Sequence, residues 1–210
     1  ANCLATAATV KDAEFNNGKD AGAAYFDDIV RAAEKPKRIV SAIPAHGWGW
    51  DADGQRGRGT IGAYNLLLAS VTAIPTGVNS ISASSQHSCA IGNNGLPYCW
   101  GFNNSGQLGD GTGSGSYIPV AVVMPTGVTS FTSISGGQTH TCGIGNNGLA
   151  YCWGDNFVGQ LGDNSTTQRL VPTAVTLPSG VTSFTSVTAG SYHSCGIGNN
   201  SVLYCWGYNF

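Results

Sequence analysis

The sequence predicts a mainly β fold built from propeller-type repeats of four short strands, and three observations support it. The phrase HSCAIGNNGLPYCWG at 87–101 returns with small changes at 140–154 and 193–207. Equivalent residues, such as Trp100 and Trp153, are 53 positions apart, a period typical of stacked units that bury their apolar faces against one another. The composition, with 31 Gly and only 10% charged residues among 210, suits short strands joined by tight turns.

Each unit is predicted to centre on a β-hairpin. Asn and Gly tolerate positive φ, so NNG between two apolar runs is a hairpin signal. With Asn94 at the centre, Cys89 lies directly opposite Cys99, at a distance that a disulfide can bridge. Closing so short a loop contributes about 2–3 kcal/mol in the loop-entropy model. The same spacing predicts two further bridges, Cys142–Cys152 and Cys195–Cys205.

Three regular cysteine pairs indicate an oxidising compartment, so we expect a secreted or cell-surface protein in its mature form. Reduced, buried cysteines are the alternative, and the spacing fits no zinc site. The seventh cysteine, Cys3, has no partner in the repeat. It is free, bridges to another chain, or pairs with a residue outside this sequence.

The repeat extends on both sides of the hairpin. PTGVTSFTSI at 125–134 returns as PSGVTSFTSV at 178–187. The stretch around Ser130–Ser135 predicts the first strand of a unit, and Val120–Val123 predicts a fourth strand after the hairpin. Four short antiparallel strands per unit are typical of a propeller blade. The resulting division is an N-terminal region at 1–72 followed by repeats at 73–124, 125–177 and 178–210.

The spaced motifs resemble the regulator-of-chromosome-condensation repeat family. They are Gly-x-x-His-(Ser/Thr)-Cys, as at 137–142, Tyr-Cys-Trp-Gly at 151–154 and Gly-Gln-Leu-Gly at 159–162. The resemblance covers residues 73–210 and implies a β-propeller, which has seven blades in this family. Nuclear members work in a reducing compartment and contact nucleosomes and a GTPase. Disulfide-closed hairpins and a net charge of −2 fit the secreted bacterial type better.

About two and a half units lie between Pro75 and Phe210, too few for a closed ring of seven blades. An open stack leaves strand edges and an apolar sheet face that natural proteins cover. Three explanations stay open. The sequence is a piece of a longer chain, its own N-terminal region covers the edges, or it assembles with copies of itself.

The first 72 residues are predicted to form a small α+β region. Tyr25, Ile29 and Ala33 belong to an apolar stripe at helical spacing within 20–38, which predicts one helix ending at Pro36. RIVSAI at 38–43 predicts a strand. GAYNLLLASV at 62–71 fits either a buried strand or a short helix.

Trp48 and Trp50 would present both rings on one side of an extended segment. That arrangement would suit a platform for a carbohydrate or a protein partner, but packing against the predicted helix is the favoured interpretation. Asp51 and Asp53 resemble the start of a calcium loop, but the remaining ligands of that pattern are missing.

One histidine per unit precedes the Ser/Thr-Cys pair, and one tryptophan follows each second cysteine. Because blades hold equivalent positions apart around an axis, the histidines are predicted to be structural rather than metal ligands. The tryptophans are predicted to fill the core between blades rather than to stack on sugars. These residues are His87, His140, His193, Trp100, Trp153 and Trp206.

No GxSxG nucleophile context and no phosphate loop with Lys-Ser/Thr is present, so the sequence predicts a protein that is not an enzyme and needs no cofactor or metal. The only basic run is KPKR at 35–38, which argues against a nucleic-acid surface. No apolar run approaches the roughly 20 residues that span a bilayer.

The loops that differ between units are where we expect specificity. They are Phe102–Ser105, Gly113–Tyr117, Asp155–Val158 and Thr166–Leu170. The candidate binding residues are Trp48, Trp50, Phe102, Asn103, Tyr117, Asp155, Phe157 and Arg169. Candidate glycosylation sites are Asn103, Asn164 and Asn199, each of which begins an N-x-S/T sequon.

The expected function is a secreted or surface-displayed protein-interaction module. The alternative is a structural subunit of an extracellular filament, pilus-like appendage or adhesin, in which blade edges and Cys3 join copies of the chain. A closed binder predicts a monomer, and a filament subunit predicts concentration-dependent polymers through heterologous contacts.

Overall fold

A computed structural model describes residues 46–60, 62–71, 74 and 77–209, with the backbone alone over 46–50 and 62–70. Cys3, the helix predicted at 20–38 and the strand predicted at 38–43 lie outside the described residues.

Thirteen strands run along the described part of the chain in four antiparallel sheets, each a simple meander. The first sheet has two strands, β1 (His46–Asp51) and β2 (Gly62–Ser70). The second has four: β3 (Val78–Ala83), β4 (His87–Gly92), β5 (Pro97–Gly101) and β6 (Ser116–Ala121). The third repeats it with β7 (Phe131–Gly136), β8 (His140–Gly145), β9 (Ala150–Gly154) and β10 (Arg169–Ala174). The fourth contains β11 (Phe184–Ala189), β12 (His193–Gly198) and β13 (Leu203–Gly207).

These sheets confirm the mainly β, blade-repeat fold class, and the ambiguous segment at 62–71 is a strand over most of its length. The fourth strand predicted at Val120–Val123 begins earlier, as β6. β6 starts at Ser116 because that residue pairs with Gly101, and a bulge separates this pair from the pairing of Cys99 with Val120.

The central hairpins have the register that the NNG turn predicts. Cys89 pairs with Cys99 across β4 and β5, and their sulfurs form a disulfide with the Cα atoms 4.1 Å apart. The other two hairpins form the equivalent bridges, Cys142–Cys152 and Cys195–Cys205. Each bridge therefore links the two hairpin strands of its own unit.

Apolar packing joins neighbouring sheets. Phe131 on β7 lies edge-on to the indole of Trp153, with ring centroids 6.0 Å apart. Both rings belong to a buried cluster that also contains Leu108 from the loop of the preceding unit. Full burial of such side chains stabilises the fold by about 1.5–3 kcal/mol each. Since the cluster takes residues from two units, neither unit buries its core alone.

A repeated set of hydrogen bonds lies between the sheets, and the carbonyl of one glutamine per unit is its centre. Gln107 O accepts from Trp153 Nε1 at 3.0 Å and from Thr141 Oγ1 at 2.8 Å. In the next joint, Gln160 O accepts from Trp206 Nε1 at 3.0 Å and from Ser194 Oγ at 2.9 Å. We call each such set, a glutamine carbonyl with its tryptophan and hydroxyl donors, a joint. The repeated geometry of the joints fixes the position of each sheet against the next.

The glycine two residues after this glutamine allows the close approach. A Cβ added at Gly109 would lie 2.6 Å from Trp153 Nε1, and one at Gly162 would lie 2.7 Å from Trp206 Nε1. Both glycines also have positive φ, near 69° and 68°. Any larger residue would push the indole away from the glutamine carbonyl.

The loop after β1 has the same construction, a relation that the sequence analysis did not find. Gln55 O accepts from Trp100 Nε1 at 2.6 Å and from Ser88 Oγ at 2.9 Å, as Gln107 O does one unit later. Gly57 has φ of 70° and lies against the Trp100 indole. The sequence WGWDADGQRGRGT at 48–60 therefore aligns with WGFNNSGQLGDGT at 100–112. The repeat frame begins upstream of residue 73.

Over the part of the chain that is described, no helix is long and apolar enough to cross a membrane.

Candidate functional site

The variable loops lie together at one end of the sheets. Phe102 N donates to Gln86 O at 2.8 Å, and Asp155 N donates to Thr139 O at 2.9 Å. These bonds hold the loop that follows each hairpin beside the loop that precedes it, while the NNG turns lie at the opposite end. The loop face, as we call it, comprises residues 51–60, 84–86, 102–115, 137–139, 155–168 and 190–192.

A buried asparagine organises each large loop. Asn103 Nδ2 lies 3.0–3.2 Å from Asp110 Oδ1, Thr112 O and Ser114 O, and Asn103 Oδ1 accepts from Leu108 N at 2.9 Å. Asn156 occupies the same place one unit later, with Asp163 as the carboxylate partner. Asn103 is fully buried. This placement argues against Asn103 as a binding or glycan-bearing residue, because its amide is used to fold the loop.

The first loop replaces this asparagine with an ion pair. Asp51 Oδ1 accepts from Arg56 N at 3.0 Å, as Asn103 Oδ1 does from Leu108 N. Asp51 Oδ2 lies 2.7 Å from Arg56 Nη2, and both side chains are buried. Asp51 therefore stabilises the fold of the first loop. Arg56 stands where the later loops have leucine. Among the described residues, no three His, Cys, Asp or Glu side chains are grouped so as to hold a metal ion.

The side chain of the joint glutamine has a fixed orientation in all three loops. Its Oε1 accepts from the backbone N two residues earlier at 3.0 Å, from Asp53, Ser105 and Val158 in turn. Gln160 Nε2 donates to Asp155 Oδ2 at 2.9 Å. Gln55 Nε2 and Gln107 Nε2 are buried with no hydrogen-bond partner among the described residues.

The histidines connect consecutive joints. His87 Nε2 lies 2.8 Å from Thr141 Oγ1, whose single proton goes to Gln107 O, so His87 must donate through Nε2. His87 Nδ1 is then an acceptor, and the Ser84 hydroxyl shares its single proton between Nδ1, 2.8 Å away, and the His87 carbonyl oxygen. Burial, aided by repulsion from His140, lowers the pKa of His87 to about 3. These contacts match the structural, hydrogen-bonding role predicted for this residue.

His140 makes the same bond in the second joint but lacks the second partner. Its Nε2 lies 2.9 Å from Ser194 Oγ, which donates to Gln160 O. Gly137 replaces Ser84, so His140 Nδ1 has no partner in the described part of the chain. Burial lowers the pKa of His140 to about 4, although the nearby Asp155 carboxylate acts in the opposite direction.

The remaining candidate binding residues occupy different environments. Phe157 is 82% exposed at a loop tip, Tyr117 is exposed on β6, and Phe102 and Asp155 are partly buried. Arg169 Nη2 lies 2.8 Å from Asp163 Oδ2. Burial alone would raise the pKa of Asp163, but hydrogen bonds from Ser165, Arg169 and Asn156 and the charge of Arg169 hold it below its usual value.

Trp48 and Trp50 belong to β1, whose side chains before Asp51 lie outside the described residues. Asn164 and Asn199 are exposed. Their modification stays a prediction, as does the binding role of the exposed loop residues.

The joint glutamines and Ser84 were missed at the sequence level. A signal existed for the glutamines: Gly-Gln stands at the same offset after Trp-Gly in all three loops, including DGQRG at 53–57. Ser84 gave no signal, because glycine occupies its place in the later units.

Sequence profiles of the regulator of chromosome condensation (RCC1) repeat match residues 94–144 and 147–197, and a second RCC1 profile matches residues 78–107 and 131–160. The Arabidopsis thaliana ultraviolet-B receptor UVR8 is 28% identical over 169 residues, which cover 80% of this chain and 38% of UVR8. The human probable E3 ubiquitin-protein ligase HERC6 is 32% identical over 155 residues, 70% of this chain and 14% of HERC6.

Solved structures show the same fold. Human WBSCR16 superposes with a TM-score of 0.69 at 19% identity, over 79% of this chain and 42% of that protein. Yeast RCC1 (Prp20), in its complex with Kap60, superposes with a TM-score of 0.66 at 24% identity, over 79% and 40%. The chain thus spans well under half the length of these relatives. With matching profiles across residues 78–197 and this shared fold, the chain belongs to the RCC1 repeat family.

Proposed function

We propose that this chain is a non-enzymatic protein-interaction module, secreted or displayed at a cell surface, and that its loop face binds the partner. The observation that carries the proposal is the contrast between frame and loops. The glutamine–tryptophan contact recurs at each joint and the asparagine contact recurs in the second and third loops, while Phe102–Ser105 and Asp155–Val158 differ in sequence. A rigid frame that presents variable loops is the usual arrangement of a binding site.

The three hairpin disulfides support the extracellular part of the proposal. We expect protein recovered directly from culture medium or the cell surface, with free thiols blocked at once, to carry no label on the six hairpin cysteines. Labelled hairpin cysteines in protein found only inside the cell would overturn this part.

The binding role is tested with a loop-exchange variant in which Phe102–Ser105 and Asp155–Val158 trade places and the frame residues stay unchanged. Wild-type protein and this variant are immobilised and crosslinked to the secreted proteins of the producing organism. The matched control is Thr126→Ala/Ser179→Ala, at exposed turns on the opposite end of the sheets. A partner should be retained by wild type and control and lost by the loop exchange. Retention by all three proteins would contradict a binding role of the loop face.

A second candidate function is a structural subunit of an extracellular filament, pilus-like appendage or adhesin. Its supporting observation is the fourth sheet, where Leu203 is 65% exposed and Val202 is also exposed. Stacking of another copy on this face would produce polymers whose length rises with concentration. Negative-stain electron microscopy across a concentration series tests this. Single particles at every concentration would exclude it.

A further inference from the structure

The loop between β9 and β10 contains its own carboxylate–amide contact. Gln160 Nε2 donates to Asp155 Oδ2 at 2.9 Å, and Thr139 Oγ1 lies 3.4 Å from the same oxygen. Gln160 Oε1 is held by Val158 N, so the amide can point in only one direction. Because Asp155 is partly exposed, this contact lies just below the loop face.

The two earlier loops hold the same amide in the same orientation but provide no acceptor. Gln107 is 0% and Gln55 4% exposed, and neither Nε2 has a partner among the described residues. Trp50 and Phe102 stand at the position of Asp155 in these loops, and neither residue type carries an oxygen acceptor in its side chain. A buried donor without an acceptor destabilises the folded chain. The third loop supplies this donor with a carboxylate, whereas the described residues of the two earlier loops supply no oxygen acceptor for it.

The charge of the first loop favours the same kind of ligand. Arg56 and Arg58 stand where the later loops have leucine and aspartate. Arg56 uses Nη2 for Asp51, while its Nε and Nη1 are buried without a partner in the described part of the chain. The surplus donors of this loop, like those of Gln55 and Gln107, require oxygen acceptors, and carboxylates supply the strongest ones.

We propose that Gln55 and Gln107 are docking points for Asp or Glu carboxylates of an acidic segment of a partner protein, and that Asp155 is an internal mimic of that ligand. At Gln107 the partly exposed Phe102 ring turns toward solvent and the carboxylate takes its place. At Gln55 the positive charge of Arg58 attracts the segment. This inference rests on the proposed function, since it names the chemical class of the partner.

The test follows the side-chain amide resonances of the glutamines by NMR in the ¹⁵N-labelled, disulfide-intact 210-residue chain. The probe is the peptide acetyl-(Glu-Gly)₅-amide, with acetyl-(Gln-Gly)₅-amide as the uncharged match. We expect the Glu peptide to shift the Gln55 and Gln107 amides with a Kd about tenfold lower than the Gln peptide, while the Gln160 amide stays in place. Equal responses to both peptides, or none, would overturn the proposal.

Two variants exchange the glutamine that has an internal carboxylate partner with one that does not. Asp155→Ala empties the third site, so the Gln160 amide should begin to respond to the Glu peptide. Phe102→Asp supplies a carboxylate within the chain, so the Gln107 amide should stop responding while Gln55 continues. If Asp155→Ala gains no response, the carboxylate role is wrong. A partner that depends on the loop face but carries no acidic segment would overturn this inference and leave the proposed function standing.

Discussion

The third and fourth sheets have nearly the same sequence but very different burial. The hairpin strands β8 and β9 are buried at every residue, whereas β12 and β13 are buried at alternate residues or hardly at all. Trp153 is fully buried and Trp206 only partly, although each indole donates to a glutamine carbonyl at 3.0 Å.

The cause is the neighbouring sheet. In the described chain, the third sheet has a sheet on each side, whereas the fourth has one only on its β7–β10 side. Hydrogen bonds within a joint are the same in both cases, so they cannot produce the difference in burial. In this repeat, two neighbouring units form the hydrogen bonds of a joint, and a further neighbouring unit is needed to shield the hairpin strands from water. Four predictions test this comparison.

The largest effect is expected at the two tryptophans. Trp153→Ala should lower the free energy of unfolding by about 3–5 kcal/mol, because it removes a fully buried indole and leaves a cavity between sheets. Trp206→Ala loses the same hydrogen bond but less buried surface, so its loss should be less than half as large. Urea denaturation of the two disulfide-intact variants measures both. Equal losses would show that the hydrogen bond, rather than burial, dominates the joint.

Acid should weaken the two joints that contain His87 and His140. His87 and His140 have folded-state pKa values of about 3 and about 4, below the ordinary value of 6.5. Protonation therefore favours the unfolded chain, and the stability that these residues contribute is complete above about pH 6.5 and falls as the pH drops. One pH unit below 6.5 costs about 1.4 kcal/mol for each residue, or about 2.7 kcal/mol together.

Urea denaturation at pH 7.5 and 5.5 measures this loss. His87→Gln and His140→Gln should each remove about half of the difference between the two pH values. A difference that persists in the double variant would assign the acid sensitivity to other groups.

Much of the fold follows from local sequence rules. The NNG turn fixes which residues of β4 and β5 face each other, and that register alone brings Cys89 opposite Cys99. The 53-residue period then transfers the result to the other hairpins. Turn chemistry and periodicity act over short distances, so a single sequence contains the information.

The joints could not be predicted in the same way. The carbonyl of Gln55 accepts from Trp100, 45 residues later, and a backbone carbonyl has no sequence signal. The similarity of the first loop to the later ones was also difficult to recognise in the sequence. Asp51 and Arg56, which form an ion pair, replace the asparagine and leucine of the later loops. Whether the side-chain amide of Gln107 meets a carboxylate depends on which side chain stands five residues earlier, so this contact is visible only once the loop is folded.

The difference in burial between the third and fourth sheets should also appear as a difference in the rate at which their disulfides are reduced. Cys142 and Cys152 are fully buried, whereas Cys195 is partly exposed and Cys205 exposed. A reducing thiolate must reach a sulfur atom directly. Cys195–Cys205 should therefore open at least about tenfold faster than the other two bridges under native conditions, an activation difference of about 1.4 kcal/mol.

Brief exposure to dithiothreitol, alkylation and peptide mapping give the three rates. The control is the same reaction in concentrated urea, where the rates should converge because burial is lost. Equal rates without denaturant would mean that the hairpins open locally before reduction, and that burial by a neighbour does not protect them.

The smallest effect concerns Ser84, which is present beside His87 and replaced by Gly137 beside His140. Ser84→Ala removes the hydroxyl beside His87 Nδ1 and leaves that buried nitrogen with no partner in the described part of the chain, as His140 Nδ1 already is. We expect a loss of about 1 kcal/mol in the free energy of unfolding at pH 7.5. Ser85→Ala, at the exposed neighbouring position, is the matched control and should change stability by less than about 0.5 kcal/mol.

This variant also shows what each of the two hydrogen bonds of the His87 imidazole contributes. His87 Nε2 keeps its bond to Thr141, so the joint should stay closed and the ring should keep its proton on Nε2. NMR of the imidazole nitrogens checks the tautomer directly. Two outcomes would contradict this expectation: a loss of stability as large as that of Trp153→Ala, or a proton on Nδ1. Either would mean that the Ser84 hydroxyl helps to hold the joint together. The joint of His140 would then need another group in place of that hydroxyl, and the Gly137 backbone cannot provide one.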